Sequence, residues 1–402
     1  MTFAMGIVGC GVMGRRHVLG MRNLQAVEKL DFDLVAVCDV LPQNLGLMGE
    51  HVLENLGKRP RQFSDFDSMI STVKLDGIIV TTSPEMHLEI AVKAFEAGIH
   101  VIVEKPVTLT VAEGVFLVQA AQKANRKLAV AENYRRDPVN RLGKAIVDSG
   151  AIGRPFLATQ QSSGSGEFVI LTPWRHRKDR GGIVLDMGVH YTDILEFYLG
   201  PIETVVGMNA VVDNQRVDSK GFMHPADAED LSVGVMRFQS GALANWLLNL
   251  GGRGEGHFSR VIYGTVGSIA IPGDRTGKPP VLCLRYNGKD EFVPPEELLG
   301  LVPDFVLDPT TAALFRGERL ASYNLVWSDI DAHLLGIEQS DFVEAIRKNR
   351  EPEVNGVQGL RSLALVFGLL ESDLLKRVVT IDEILAGKNS PYQSAMAAGG
   401  QK

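Results

Sequence analysis

The sequence predicts a doubly wound parallel α/β domain followed by an α+β domain whose sheet is antiparallel. Three observations carry that prediction. A glycine-rich turn, Gly9-Cys10-Gly11-Val12-Met13-Gly14, joins a short apolar strand to a helical stretch. Short apolar runs then alternate with helical patterns as far as Ala131. From Thr204 to Ile271, strand-like runs instead succeed one another with only turn residues between several of them. Alternation implies crossover helices and a parallel sheet, whereas direct succession permits antiparallel hairpins.

Composition bounds the function classes. At 402 residues the chain is too long for one ordinary core and long enough for two unequal domains. An apolar content of 45% is that of a globular protein and argues against disorder. Acids outnumber bases by 48 to 41, so there is no electrostatic footprint for nucleic acid or an anionic membrane. Cys10, Cys38 and Cys283 are odd in number, far apart and set in or beside apolar runs, which reads as reduced buried thiols. The N-terminus shows no basic segment leading into an apolar one, and no apolar run approaches bilayer length. A cytoplasmic location is the expectation.

The first domain is assigned to residues 1–133. Phe3 to Val8 is a strand, Arg15 to about Leu30 a helix, and Leu34 to Cys38 a second strand closed by Asp39. Strand, G-x-G-x-x-G, helix, strand and acid together form the dinucleotide fingerprint. Gly9 permits the tight turn, Gly11 lets backbone approach a pyrophosphate, and Gly14 allows close helix–strand packing. Val12 and Met13 lie in the turn that leads into the helix, whose N-terminal N–H groups suit an anion. Asp39 is placed for ribose hydroxyls and would repel a 2′-phosphate, so NAD is favoured over NADP. Gly77 to Thr81 is another buried strand, followed by Thr82-Ser83-Pro84 and a helix from about Glu85 to Ala97. His87 starts that helix near the cofactor crevice, where a lone histidine is more often a helix-end hydrogen-bonding group. Val101-Ile102-Val103 ends in Glu104-Lys105-Pro106, at the sheet edge where open α/β folds bind ligands. An amine held there reaches both cofactor and substrate. A helix from Thr110 to about Ala124 and a strand from Lys127 to Ala131 follow, and Asn133-Tyr134-Arg135-Arg136 crosses into the next domain.

The second domain is assigned to residues 134–387. A helix from Val139 to Asp148 precedes a strand beginning near Pro155 and a loop over Ser162 to Gly166. Trp174-Arg175 opens a basic cluster that continues with His176, Arg177, Lys178 and Arg180 to Gly181-Gly182. Asp186 and His190 then share a helix face at a spacing of four, which suits a histidine base with a nearby carboxylate. The alternative is an acidic helix-start residue with a histidine half-buried at a domain contact. Strands are read over Thr204–Val211, Asp230–Phe238, Ala242–Asn249, Phe258–Gly264 and Ser268–Ile271. Pro294 to about Tyr323 is an irregular excursion, either a pocket lid or a subunit-contact arm. Ser328 to Lys348 and Gly359 to Leu375 read as helices, and residues 388–402 as a frayed tail. No histidine, cysteine and carboxylate group has metal-ligand spacing, so no metal is expected.

With these motifs in place, the chain resembles the glucose–fructose oxidoreductase / inositol dehydrogenase family of sugar and polyol dehydrogenases. Gly9/Gly11/Gly14, Glu104-Lys105-Pro106, Trp174-Arg175, Gly181-Gly182 and Asp186-x-Gly188-x-His190 carry the resemblance jointly. It implies a Rossmann domain and a large open, mostly antiparallel sheet that often forms subunit contacts, hence a homodimer or homotetramer. It also implies a cis Lys105–Pro106 bond that holds Lys105 near nicotinamide and the reacting hydroxyl. Asp186 and His190 would complete the catalytic group, with Trp174 and Arg175 beside cofactor or substrate. Thr82, Ser83, Pro84, His87, Glu104, Lys105 and Asn133 join the glycine turn as cofactor candidates. Tyr134, Arg175 and His257 join the catalytic three as substrate candidates. The expected activity is NAD-dependent oxidation of a secondary hydroxyl of a sugar, sugar derivative or cyclic polyol. Histidine titrates where such a base is needed, and Lys105 would stabilise the developing alkoxide. Two alternatives stand beside it. One is a redox-neutral NAD-dependent glycosidase, suggested by the basic cluster, the excursion and the loop from Gly251 to His257 with Glu255. The other is a non-catalytic NAD-binding regulator.

Overall fold

The computed structural model describes residues 2–165, 167–169 and 172–399. The parallel half runs β1 (Phe3–Val8), α1 (Val12–Ala26), β2 (Phe32–Cys38), α2 (Pro42–Leu56), β3 (Arg61–Phe63), α3 (Phe66–Thr72), β4 (Gly77–Val80), α4 (His87–Glu96), β5 (His100–Glu104), α5 (Val111–Lys123) and β6 (Leu128–Ala131). Its strands lie in the order β3-β2-β1-β4-β5-β6, and every neighbouring pair is parallel. The strand order reverses between β1 and β4, so the crevice at their carboxyl ends is the natural ligand position. β4 and β6 are buried along their whole length, as crossover helices on both faces require. Local chemistry starts the helices. Thr110 and Glu113 form a capping box on α5, Asp65 caps α3, and Pro42 opens α2. The segment between Asp39 and Gly77, which carried no sequence assignment, thus holds α2, β3 and α3.

The second half continues α6 (Pro138–Asp148), β7 (Pro155–Ser165), α7 (Gly182–Leu199), β8 (Ile202–Ala210), β9 (Gln215–Val217), β10 (Met223–Pro225), β11 (Leu231–Phe238), β12 (Leu243–Gly252), β13 (His257–Gly264), β14 (Gly267–Ile271), β15 (Val281–Tyr286) and β16 (Lys289–Val293). It ends with α8 (Pro309–Phe315), α9 (Trp327–Arg347), α10 (Gly356–Leu375), β17 (Val379–Thr380), α11 (Ile381–Leu385) and α12 (Pro391–Gly399). The large sheet has the order β16-β15-β14-β13-β7-β12-β11-β8-β17. It is not a simple succession of hairpins. β7 inserts between β13 and β12, antiparallel to the first and parallel to the second. The expected loop at Ser162 is therefore strand as far as Ser165, and Gly166 lies outside the described residues.

Three sequence expectations change here. The boundary at 133 does not separate two cores, because α9 returns to pack on the parallel half. Its Phe342 meets Phe3 edge-on with ring centroids 6.5 Å apart. A Cβ on Gly20 of α1 would stand 2.8 Å from the Gly336 nitrogen of α9, so those helices touch backbone to backbone. The 294–323 excursion is a strap packed on both halves. Leu298 and Val302 join the core around α6 and β14, Leu314 and Phe315 join the parallel half, and Tyr323 donates to Asp137 at 2.7 Å. The expected frayed tail is α12 over Pro391–Gly399, with Tyr392 and Met396 buried and Glu371 accepting from the Tyr392 and Gln393 amides. Cys10 and Cys38 are buried free thiols as read, whereas Cys283 is only half-buried. Among the described residues no helix is long and apolar enough to cross a membrane.

Candidate active site

The glycine turn is built as a cradle. Gly9 has φ +101°, and a Cβ there would lie 2.7 Å from the Thr81 carbonyl carbon. A Cβ on Gly14 would lie 2.2 Å from the Gly9 oxygen. One on Gly11 would meet nothing within 4 Å, so the turn is closed behind Gly9 and Gly14 and open over Gly11. No side chain caps α1, and its first turn carries no acid, which leaves the N–H groups around Val12 and Met13 for an anion. Asp39 is fixed beside the turn, accepting from the Cys10 amide at 2.7 Å and from Asn44 at 3.1 Å. This donor set fits a dinucleotide with free ribose hydroxyls. Thr82, Ser83 and Pro84 follow β4 at the same edge, and Thr81 Oγ1 donates to the Gly9 oxygen.

Two residues expected at the cofactor are bonded within the protein. His87 is fully buried, its ring nitrogens 3.0 Å from the Pro106 oxygen and 3.2 Å from the Thr82 oxygen. Burial pushes its imidazole below the usual range, with the hydrogen bonds to those carbonyls opposing. Glu104 points inward from the end of β5, accepting from His17 Nε2 at 2.9 Å and from the Lys105 amide at 3.2 Å. Asn133 is buried and accepts from Arg275 at 3.4 Å.

Lys105 leads into a cis bond to Pro106. Its Nζ donates to Asp186 Oδ1 at 2.8 Å and to the Asp186 carbonyl at 3.0 Å. Arg175 Nε donates to the other Asp186 oxygen at 2.9 Å, while its guanidinium lies 4.5 Å from the Trp174 ring centroid. Burial alone would raise the Asp186 pKa, but the two cations outweigh it and hold the carboxyl ionised well below its ordinary value. Asp186 and His190 do share a face of α7, yet they are not partners. The His190 partner is Glu132, just beyond β6, whose oxygens lie 2.7 and 2.8 Å from Nδ1. Burial and the nearby Lys105 press the His190 pKa down, with Glu132 opposing, and the net direction is downward. The Tyr134 ring stacks on the imidazole at 4.2 Å and 4°.

Sequence reasoning missed Glu132 and Arg275. The first had a positional signal, since it lies at the carboxyl edge of the sheet; the second had none. His257 is a correction. It sits opposite Ser163 on β13, and side chains alternate along a strand. Phe258 and Arg260 therefore face Tyr191, with Phe258 at 6.4 Å between centroids, while His257 projects from the other face and is exposed. The basic cluster is already paired: Arg177 with Asp179, Lys178 with Glu229, Arg180 with Glu85 and His176 with Arg216. No group of three or more histidine, cysteine or carboxylate side chains among the described residues is arranged to hold a metal.

The comparisons agree with this fold. Residues 3–132 match the model described as "Oxidoreductase family, NAD-binding Rossmann fold", and residues 141–270 match the GFO/IDH/MocA C-terminal domain. A D-apiose dehydrogenase of Paraburkholderia graminis is 26% identical, covering 99% of this chain and 94% of that protein. A myo-inositol 2-dehydrogenase of Thermotoga maritima is 25% identical, covering 94% and 99%. The fold matches a levoglucosan dehydrogenase solved with NADH at a TM-score of 0.78, with 21% identity over 95% of this chain and 99% of that one. The two family matches together span more than half of the sequence, one on each side of the Lys105–Asp186 contact, and the chain belongs to the GFO/IDH/MocA family of NAD-binding oxidoreductases.

Proposed function

We propose that this oxidoreductase oxidises a secondary hydroxyl of a sugar, sugar derivative or cyclic polyol, with His190 as base and Lys105 as the stabiliser of the developing alkoxide. The observation that carries the reading is one juxtaposition. Lys105 is held on Asp186, one helical turn from an imidazole whose Nδ1 is committed to Glu132. Bound at the Gly9–Gly14 turn and Asp39, NAD supplies the hydride acceptor. Burial opposes ionisation of Glu132, but its polar and charged neighbours hold its pKa below the ordinary value, so its carboxylate accepts a hydrogen bond from Nδ1–H and leaves Nε2 with a lone pair. Nε2 bonds to no described residue and takes the substrate hydroxyl proton. The Lys105 ammonium, oriented by two acceptors on Asp186, donates to the oxygen as negative charge grows there. Arg175 and Tyr134 are the substrate-side contacts in this scheme, and Asp186 serves as orienter of Lys105.

Of the three features that suggested a glycosidase, Arg177 and Arg180 of the basic cluster are ion-paired and the excursion is packed, while the loop around Glu255 is exposed. We also propose a homo-oligomer assembled on the open sheet face, where exposed Met208 pairs with exposed Val233 across β8 and β11. A cytoplasmic carbohydrate enzyme is the corresponding cellular reading. The test of function is a panel of free sugars, inositols and glycosides with NAD. NADH formed in step with ketone, every glycosidic bond intact, is the expected result. Aglycone release without NADH accumulation would make it a redox-neutral glycosidase, and NAD binding without turnover of any compound would favour a regulator.

A further inference from the structure

Behind His190 lies a set of contacts that extends beyond the groups used in the proposed chemistry. Arg275, between β14 and β15, is a non-glycine residue with φ +61°, a backbone conformation that L side chains rarely adopt. Its guanidinium is largely buried and lies 4.9 Å from the Tyr134 ring centroid. Tyr134 in turn stacks flat on His190. At its far side Arg275 Nη1 donates to Asp331 Oδ1 at 2.8 Å. Asp331, in the early part of α9, also receives Arg16 from α1, with Arg16 Nε 2.8 Å from Oδ2. Arg16 stands two residues past Gly14, and its Nη1 lies 2.9 Å from Met13 Sδ. Three distant chain segments thus meet in one clamp: the nucleotide-binding helix, the start of α9 and a loop of the sheet domain.

We infer that Arg275 is a positioning residue, pinned by Asp331 to the nucleotide-binding helix, that holds the Tyr134 ring against His190 and fixes the imidazole where the base must stand. The physical case rests on what the position gives up. Arg275 Nε is buried and makes no hydrogen bond, and its backbone is in a disfavoured region. Local strain of this kind persists only where the surroundings over-determine it. A shared carboxylate and an aromatic face supply that determination, because a guanidinium fork keeps one plane while binding both. The inference rests on His190 being the base, but its geometric core does not.

The charged and titratable groups facing His190 are Glu132 beyond β6, Lys105 beyond β5, Tyr134, and Arg275 from the sheet domain. Of these, Lys105 and Arg275 disfavour protonation, and Glu132 favours it. Losing the Arg275 charge therefore moves the imidazole titration to higher pH. Losing the clamp frees the ring from Tyr134, which removes a ring-current displacement of the His190 Cε1 proton.

The experiment is histidine-selective NMR on the full-length chain, with His190→Asn used to assign the resonance. Arg275→Met is expected to raise the His190 midpoint. It is also expected to return the Cε1 proton toward its unstacked shift. Arg275→Lys restores the titration and not the stacked shift, because it keeps charge without the fork. Should Arg275→Met fail to fold, Asp331→Asn is read for the same loss of the stacked shift. A folded Arg275→Met or Asp331→Asn variant with an unmoved Cε1 shift would overturn the inference. If His190→Asn keeps wild-type turnover while Arg275→Met moves both readouts, the base assignment falls and the clamp stands.

Discussion

Glu132 decides which nitrogen of His190 is free to react. An ionised carboxylate at Nδ1 fixes the tautomer, and a base needs its lone pair on the other nitrogen. Because burial leads the causes that press the His190 pKa below 6.5, turnover is expected to fall on acidification only below that pH. Glu132 opposes the burial, so Glu132→Gln is expected to move this acid limb lower still and to cut kcat about tenfold or more through loss of the fixed tautomer. A kcat profile between pH 4 and 8 reads both. The spacing of Asp186 and His190 correctly placed the two residues on one helix face. It misassigned the partnership, because Asp186 reaches Lys105 at a separation of 81 residues and His190 reaches Glu132 at 58. Spacing along a helix reports shared direction, and a partner brought in by tertiary packing leaves no trace in it. The glycines allow a second residue-level test. Gly14→Ala places its Cβ against the Gly9 carbonyl and is expected to cost about 1–3 kcal/mol of stability. Gly11→Ala has open space, so it is expected to keep the wild-type melting temperature and lose NADH binding. Calorimetry beside a fluorescence titration separates the two.

At the scale of elements, the parallel half was the legible part. Each short apolar strand needs a crossover helix to reach its parallel neighbour, so local patterning and topology say the same thing. The insertion of β7 beside β12 was not legible, since that pairing joins Gln160 to Trp246 across a long stretch of chain. Likewise α9 read as an amphipathic helix without any sign that it belongs to the first core. It carries Glu338 into the interior, where both carboxyl oxygens are buried without a hydrogen bond and His17 Nδ1 is 3.9 Å away. Burial, then the nearby Glu104, raises its pKa well above 4.5. The folded state thus holds a proton that the unfolded chain has released above that pH, and stability falls as pH rises through the interval. Glu338→Gln is expected to melt higher than wild type at pH 8, with the difference shrinking to nothing below about pH 4.5. Equal melting curves at both pH values would contradict a neutral buried acid there.

At the scale of the whole molecule, the strap and α9 bind two sheets into one body, with the site at their junction. Lys105 arrives from the parallel sheet and His190 from a helix on the large sheet, so neither half alone contains the proposed chemistry. The outer face of the large sheet remains open. Met208→Asp on that face is expected to lower the mass measured by light scattering to that of a single chain. The most direct test of the central claim compares Lys105→Met and His190→Asn with wild type, measuring NADH affinity and saturated turnover of the same sugar separately. The expected result is NADH affinity within about threefold and kcat reduced about 10²-fold or more. Turnover within about tenfold of wild type, roughly 1.4 kcal/mol, in either variant would contradict the role assigned to that residue.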